Sequence, residues 1–481
     1  MTSLDRTFDT LSPRVRPRGA TLASIAVNGG AMSLFVLLVA QAFRRQDIGM
    51  WAVGIGYILY DTALLLFTAW SIRNLGHKFG HSPAVTPSTI ATRPTLGIIV
   101  AAYNEATVLG VSIDRLVAQD DPPDLILIAD DGSTDDTAET LYRLEPPALG
   151  DLSPPSPVLP SVRWLRLPHG GKARALNRAV ERVETELMLT VDADTLLAPG
   201  ALRAMRDAFA GEAALVAATG VLIPACGPHA MGRTFQWFQR YEYVRNFLSR
   251  YAWMRLDSLL LISGAFAAFR TRAVVEVGGF DTECLVEDYE LIHRLHRYSA
   301  DNGRDWRVRV VGRAVAITDA PASPLAFLRQ RRRWFGGFLQ TQYWNRDMVG
   351  NRRYRWLGLA MLPVKALDTL QPIYGLTAFA ILIWLAATGT FAVALPILYI
   401  MVAKVVLDLI FHLWSLRRYT AWTGQAEGLA SGPALLASLL EPFTFQLLRH
   451  AGALWGWVAF LTGRSTWNRQ KRTAIAAMAE Q

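Results

Sequence analysis

Two carboxylates one residue apart, Asp192 and Asp194, close the apolar run Leu187-Met188-Leu189-Thr190-Val191. In an extended segment residues i and i+2 point the same way, so both acids can face one site beyond the strand end. Such a pair suits a divalent cation on a phosphorylated ligand, because Mg²⁺ takes few protein oxygens and completes its shell with substrate phosphates. Taken alone, Asp-x-Asp also fits turn and capping residues. Other strand ends carry similar chemistry. Tyr103-Asn104-Glu105 follow the apolar run 96–102, and Asp130-Asp131 follow the run 125–129. Gly170-Gly171-Lys172 opens a helical pattern, where a lysine can approach phosphate closely. Farther on, Val286-Glu287-Asp288 heads another helix, and Gln330-Arg331-Arg332-Arg333-Trp334 lies in an aromatic and basic one.

The elements that must position these residues alternate strand and helix over residues 93–320, the grammar of an α/β sheet. Strands are expected at 96–102, 125–129, 162–167 and 187–191, with further ones at 213–220 and 306–311. Helices are expected at 235–253 and 287–298. Another should run from Ser133-Thr134-Asp135, good capping types, to Leu144. Residues 146–160 are proline-rich and read as a surface loop. Buried parallel strands bind ligands at their carboxyl ends, and here each such end is polar, acidic or glycine-bearing.

The 481-residue chain is too long for one ordinary domain. It is 52% hydrophobic and 19% charged, with a mean hydropathy of +0.21, which indicates a membrane protein. Its net charge of +9 therefore reads as positive-inside bias rather than nucleic-acid binding. Cys226 and Cys284 have neither a disulfide-framework nor a metal spacing and read as free thiols of a reducing compartment. Residues 1–20 form a polar tail with Arg14, Arg16 and Arg18, and residues 21–71 hold two spans. The second of these has Trp51 and Trp70 at its ends and Asp61 within it. The length of the first apolar run, and the span that follows at once, argue against a signal peptide.

Residues 323–371 read as amphipathic interface helices. Residues 373–414 hold two further spans, with Lys404 and Asp408 at i,i+4 spacing in the second. A cytoplasmic loop is expected at 415–433, a further span or a bent interfacial hairpin at 434–463, and a basic tail at 464–481. The arginines flanking the spans put the α/β domain in the cytoplasm and the spans in a bacterial inner membrane.

In this order the motifs resemble the membrane-bound family 2 glycosyltransferases, among them the processive synthases of cellulose, hyaluronan, chitin and poly-N-acetylglucosamine. The resemblance rests on Asp130/Asp131, Asp192/Asp194, Glu287-Asp288 and Gln330-Arg331-Arg332-Arg333-Trp334, over residues 94–337 and the flanking spans. Val286 stands where many relatives carry Thr. The resemblance implies a GT-A-like (Rossmann-like) α/β cytoplasmic domain inserted between N- and C-terminal transmembrane helices. It implies a UDP-sugar donor bound by Tyr103, Asn104, Glu105, Asp130, Asp131, Lys172, Asp192 and Arg333. Mg²⁺ or Mn²⁺ would sit on Asp194 and Asp192. Asp288, beside Glu287, would be the general base of an inverting displacement, while Gln330, Trp334 and Phe266 would shape the acceptor site. Arg331 and Arg332 are expected to meet lipid headgroups.

The acceptor is then a growing polysaccharide, extended and passed through the spans. One sugar added to a lipid carrier or glycolipid is the alternative. From another class comes a transporter or scaffold with an inactive transferase domain, against which the retention of every acidic position argues. The bilayer is an expected partner, as is an accessory membrane or periplasmic subunit; nucleic acid is not. Only a short tail follows the last apolar segment, so no cyclic-dinucleotide-binding module is expected. No residue obviously distinguishes glucose from N-acetylglucosamine.

Overall fold

A computed structural model describes residues 2–76, 93–137, 144, 146–425, 432–463 and 474–479. Most of the helix expected up to Leu144, residues 426–431 of the loop and residues 464–473 of the basic tail lie outside the described residues.

Among the described residues, eight strands form one mixed sheet: β1 (Leu96–Ala102), β2 (Leu125–Asp130), β3 (Val162–Arg166), β4 (Leu187–Asp192), β5 (Thr195–Leu197), β6 (Leu215–Ala225), β7 (Phe266–Arg270) and β8 (Arg307–Asp319). Their order is β3-β2-β1-β4-β7-β6-β8-β5. The first four are parallel to one another. Both faces of these strands are covered, which is why β1, β2 and β4 are unbroken apolar runs rather than alternating ones. From β1 the chain steps outward to β2 and β3, then returns to lay β4 on the other edge of β1. The topological switch point, where such sheets bind ligands, therefore falls between β1 and β4. Register aligns Ala102 with Asp130 and Ala101 with Asp192, bringing the polar strand ends to one rim.

β7 was not expected from the sequence. Its Phe-Ala-Ala-Phe-Arg stretch mixes strand-favouring phenylalanines with alanines that disfavour strands, and antiparallel pairing with β4 on one side and β6 on the other decides the conformation. Val191 opposite Phe266 brings Ser263, Gly264 and Ala265 to the same rim. Phe266 itself is fully buried, and a Cβ added at Gly220 would come within 2.2 Å of its ring. It packs the core and does not line the cavity at the rim, contrary to the acceptor role expected of it.

The N-terminal segment is folded onto the domain rather than being a plain polar tail. Helix Ser3–Leu11 starts with a reciprocal cap between Thr2 and Asp5. Arg14 then donates to both oxygens of the buried Asp281 carboxylate, at 2.8 and 2.9 Å.

Among the described residues, four helices are long and apolar enough to cross a membrane: Leu22–Arg44, Ile48–Ile72, Leu357–Ala387 and Phe391–Thr423. Many of their large side chains point outward, with Leu37 61% and Phe391 68% exposed, an apolar surface that water does not favour. The third begins earlier than residue 373, because a π turn at Leu357–Met361 runs directly into helix Leu362–Ala387. Trp51 is buried, and its indole N–H donates to the Ala378 carbonyl at 2.8 Å. Asp61 pairs with Lys404 at 2.6 Å and lies 3.7 Å from Arg245, while Lys404 also bonds Asp408. Charges within these apolar helices thus meet each other and the α/β domain.

Residues 434–463 are broken by a turn at Glu441–Phe443, and the following helix, Phe445–Leu461, packs along helix Pro324–Trp344. Small residues four apart allow that approach. A Cβ at Gly452 would fall 2.6 Å from the Arg331 Cβ, and one at Gly456 would fall 2.9 Å from the Phe335 Cβ. Overpacking here predicts that Gly456→Leu destabilises the protein by about 1–3 kcal/mol. A lowered thermal midpoint would show it, whereas Gly29→Leu, with open space at its Cβ, should leave the midpoint near wild type. Arg331 does not reach headgroups. It is buried, donates to both Glu242 oxygens at 2.7 and 2.8 Å, and lies over the rings of Phe327 and Trp334. Arg332 covers the Trp455 ring at 4.8 Å.

Candidate active site

A cavity of about 1380 Å³ opens at the rim where the strand ends align. At one pole Tyr103 stacks on His169, with centroids 4.2 Å apart and planes 22° from parallel. His169 Nδ1 lies 2.9 Å from Asp131 Oδ2. The same carboxylate accepts the backbone N–H groups of Gly170 at 2.8 Å and Gly171 at 2.9 Å. Those two amides are therefore occupied by Asp131 instead of being presented to phosphate. Gly171 has a φ of 94°, which only glycine adopts readily. Sequence reasoning missed His169; its place directly before the two glycines is the signal that could have found it.

Lys172 begins helix Lys172–Val180 and turns its Nζ to Asp192 at 2.6 Å, with Glu287 at 3.5 Å. Burial favours the neutral amine, but the charges of Asp192 and Glu287 outweigh it and raise the pKa, so Lys172 stays an ammonium. Asp194 is buried and lines the cavity beside Asp192. Glu105 also lines it.

Two expected donor residues do not line the cavity. Asn104, at a φ of 56°, accepts from the N–H groups of Thr134 at 2.7 Å and Asp135 at 3.1 Å. Asp130 accepts from the Ser133 N–H at 2.9 Å and the Trp164 indole N–H at 3.3 Å. Both side chains hold the loop after β2 in shape.

Across the cavity, Asp288 sits in the first turn of helix Glu287–Asp301, where the helix end favours acidic residues. It accepts the Gly264 N–H at 2.6 Å and the Tyr289 N–H at 2.8 Å. Burial, and then the neighbouring charge of Glu287, raises its carboxyl above the usual range, against the opposing pull of Lys172. A Cβ at Gly264 would lie 3.0 Å from Asp288 Oδ2 and 3.2 Å from its Cβ. Gly264→Ala should displace that carboxylate and lower kcat by roughly ten- to hundredfold with the donor KM little changed. Steady-state kinetics on both substrates would check this. Gln330, Arg333 and Trp334 line the wall formed by helix Pro324–Trp344, and Arg333 donates to the Leu285 carbonyl at 3.2 Å.

Residues 187–401 match the family model described as glycosyl transferase family group 2. Over that stretch the chain is similar to family 2 glycosyltransferases. The poly-beta-1,6-N-acetyl-D-glucosamine synthase of Staphylococcus epidermidis is 25% identical to it over 282 residues, 58% of this chain and 62% of that protein. The synthase of the same description from Staphylococcus aureus (strain COL) is 26% identical over 240 residues, 50% and 53% of the two chains. The chain thus spans less than two thirds of the length of these curated relatives. A mannosyltransferase from Pyrobaculum calidifontis, solved in complex with GDP-Man and Mn²⁺, shares the GT-A-like fold. Its TM-score is 0.52 at 19% identity, covering 82% of this chain and 99% of that one. The glycosyltransferase match begins at β4, so it includes Asp192, Asp194, Glu287, Asp288 and the Gln330 to Trp334 segment. Tyr103, Asp131, His169 and Lys172 precede it.

Proposed function

We propose that this protein is a membrane-bound, inverting glycosyltransferase acting at the inner membrane. It moves a sugar from a UDP-sugar, UDP-GlcNAc or UDP-glucose, to a growing β-linked polysaccharide. One observation carries the reading: Asp192, Asp194, Lys172, Glu287 and Asp288 line a single cavity walled by Gln330, Arg333 and Trp334.

The stacked Tyr103 and His169 rings, with Asp131 behind them, offer a flat face and polar edge that suit uracil. The diphosphate then falls towards Lys172 and Asp192. Asp192 and Asp194 are hard oxygen donors, and among the described residues no cluster of three His, Cys, Asp or Glu forms a closed protein cage. That donor set fits Mg²⁺ or Mn²⁺, which keeps positions for phosphate oxygens. A cation held there supplies Lewis-acid screening of the departing diphosphate. Asp288 accepts the acceptor hydroxyl's proton as that oxygen attacks the anomeric carbon. The carbon–oxygen bond to the diphosphate breaks on the opposite face, and the configuration inverts. Lys172 keeps the Asp192 and Glu287 carboxylates together beside this path.

A second cavity of about 380 Å³ lies among the membrane helices and shares Lys365, Gln371, Arg449 and His450 with the first. Tyr57, Asp61, Arg245, Lys404 and Asp408 also line it. Apolar side chains such as Leu64, Phe379 and Leu382 line it as well; its continuity with the first cavity through charged and polar groups supports polymer extension and passage over single addition to a lipid carrier. Membranes containing the protein, offered a panel of UDP-sugars with Mg²⁺, should release UDP and yield a product of polymer size. A single-sugar lipid adduct would refute the processive reading, and no UDP release from any donor would refute glycosyl transfer.

A further inference from the structure

Residues 282–288 line the catalytic cavity without a break, and Glu287 and Asp288 end that run. Up to residue 286 the stretch consists of turns and bends, with neither strand nor helix. No ladder of backbone hydrogen bonds fixes it, so its anchors decide where it runs. At its head stands Asp281, fully buried, whose Oδ1 accepts the Glu283 N–H at 2.9 Å. Arg14 donates from Nε and Nη2 to the two oxygens of the same carboxylate. A two-pronged contact of this kind fixes direction as well as distance.

The N-terminal segment also covers the turn just before Asp281. A Cβ added at Gly278 would fall 2.3 Å from the Phe8 backbone nitrogen, so helix Ser3–Leu11 lies directly on that turn. The guanidinium groups of Arg14 and Arg294 lie over the Phe8 ring, at 5.5 and 4.7 Å. Arg294 belongs to helix Glu287–Asp301 and donates to the Gly279 carbonyl at 2.6 Å. Asn177, on the helix that Lys172 begins, donates to the Phe280 carbonyl at 2.8 Å and accepts the Phe280 N–H at 2.7 Å. The turn 278–281 is therefore the joint where the Lys172 helix, the Asp288 helix and the N-terminal segment meet. Of these three arms, Arg14 is the one from outside the α/β domain.

We propose that Arg14 is a positioning residue for the reaction. By holding Asp281 it sets the course of residues 282–288, and so keeps Glu287 near Lys172 and Asp288 on the Gly264 amide. It does not line the cavity and acts through Asp281. This rests on the glycosyl-transfer reading of the site.

The full-length protein in lipid nanodiscs, with active sites counted by calorimetric titration of UDP, is assayed for UDP release. Backbone hydrogen exchange is followed over residues 282–288. Arg14→Gln should lower kcat by about tenfold or more and leave the donor KM within about twofold of wild type, since a displaced base impairs turnover rather than donor binding. Exchange over 282–288 should quicken. Arg14→Lys, which keeps the charge and loses the planar fork, should recover part of the rate. Removing one partner of a buried ion pair is strongly destabilising, so the neutral double variant Arg14→Gln/Asp281→Asn is measured beside the single ones. Its kcat defect should fall short of the product of the single defects, because both act through one contact. Arg18→Gln is the control. Arg18 fastens the same segment to Asp301, the last residue of the Asp288 helix, at 2.7 Å, and its loss should leave kcat and exchange as in wild type.

Wild-type turnover and exchange in Arg14→Gln, defects that multiply in the double variant, or an equal loss in Arg18→Gln each overturn the proposal. If Arg14→Gln does not fold, Arg14→Lys and the double variant decide by the same criteria. UDP release absent from wild type with every donor refutes glycosyl transfer instead. Faster exchange in Arg14→Gln then still supports Arg14 as the anchor of this stretch, and unchanged exchange overturns it.

Discussion

Asp288→Asn is expected to lower kcat for sugar transfer by about 10²–10⁴-fold, the range of a lost general base. The amide has the same shape and retains an oxygen for the Gly264 or Tyr289 N–H, so the fold and the donor KM should be preserved. UDP release from purified membranes measures the effect, and an unaltered rate would contradict the assignment. The same residue sets a pH dependence. As the proposed general base, Asp288 would act in its ionised form, and burial together with Glu287 lifts its pKa above the ordinary carboxylate value of 3.8. Activity should therefore fall as pH drops through this raised pKa, giving kcat/KM an acid limb above the usual carboxylate range. Glu287→Gln removes the like charge and should move that limb to lower pH. A limb that stays in place would show that another group governs it.

Asp194→Asn should reduce kcat by roughly 10²–10³-fold, the scale of losing one preorganised electrostatic stabiliser of the departing charge. It should also raise the Mg²⁺ or Mn²⁺ concentration needed for half-maximal rate, because an amide oxygen is a weaker ligand than a carboxylate. Activity removed from wild type by chelation should return on adding Mn²⁺. A variant that titrates with metal as wild type does would exclude Asp194 as a ligand. Asp192→Asn has a second consequence, since it takes from Lys172 its partner at 2.6 Å and leaves Glu287 at 3.5 Å. Its defect should combine weaker metal response with a higher donor KM.

Much of the fold was legible where local pattern carries the information. β1 matches its expected bounds because a parallel strand buried on both faces is an apolar run with polar ends. Other features were not legible. Asp130 and Asp131 are adjacent, and no local pattern says which faces the ligand. The amides of Gly170 and Gly171, about forty residues on, select Asp131, while Trp164 and Ser133 take Asp130. Phe266 looked like a pocket residue beside Gly264 but begins an unexpected strand and packs on Gly220. Arg331 sits in an interface pattern that also suits headgroup contact, and only the approach of helix Ala230–Met254 supplies Glu242.

The amino-acid sequence determined the strand and helix alternation, the apolar spans and the acids at the strand ends, because hydrophobic periodicity and turn chemistry act over a few residues. Tertiary structure alone decided the partnerships: Lys172 between Asp192 and Glu287, Asp61 with Lys404, and Asp281 with Arg14. These join or separate groups tens to hundreds of positions apart. Which charges meet in a closed cavity depends on how the whole chain packs, and local pattern does not encode that.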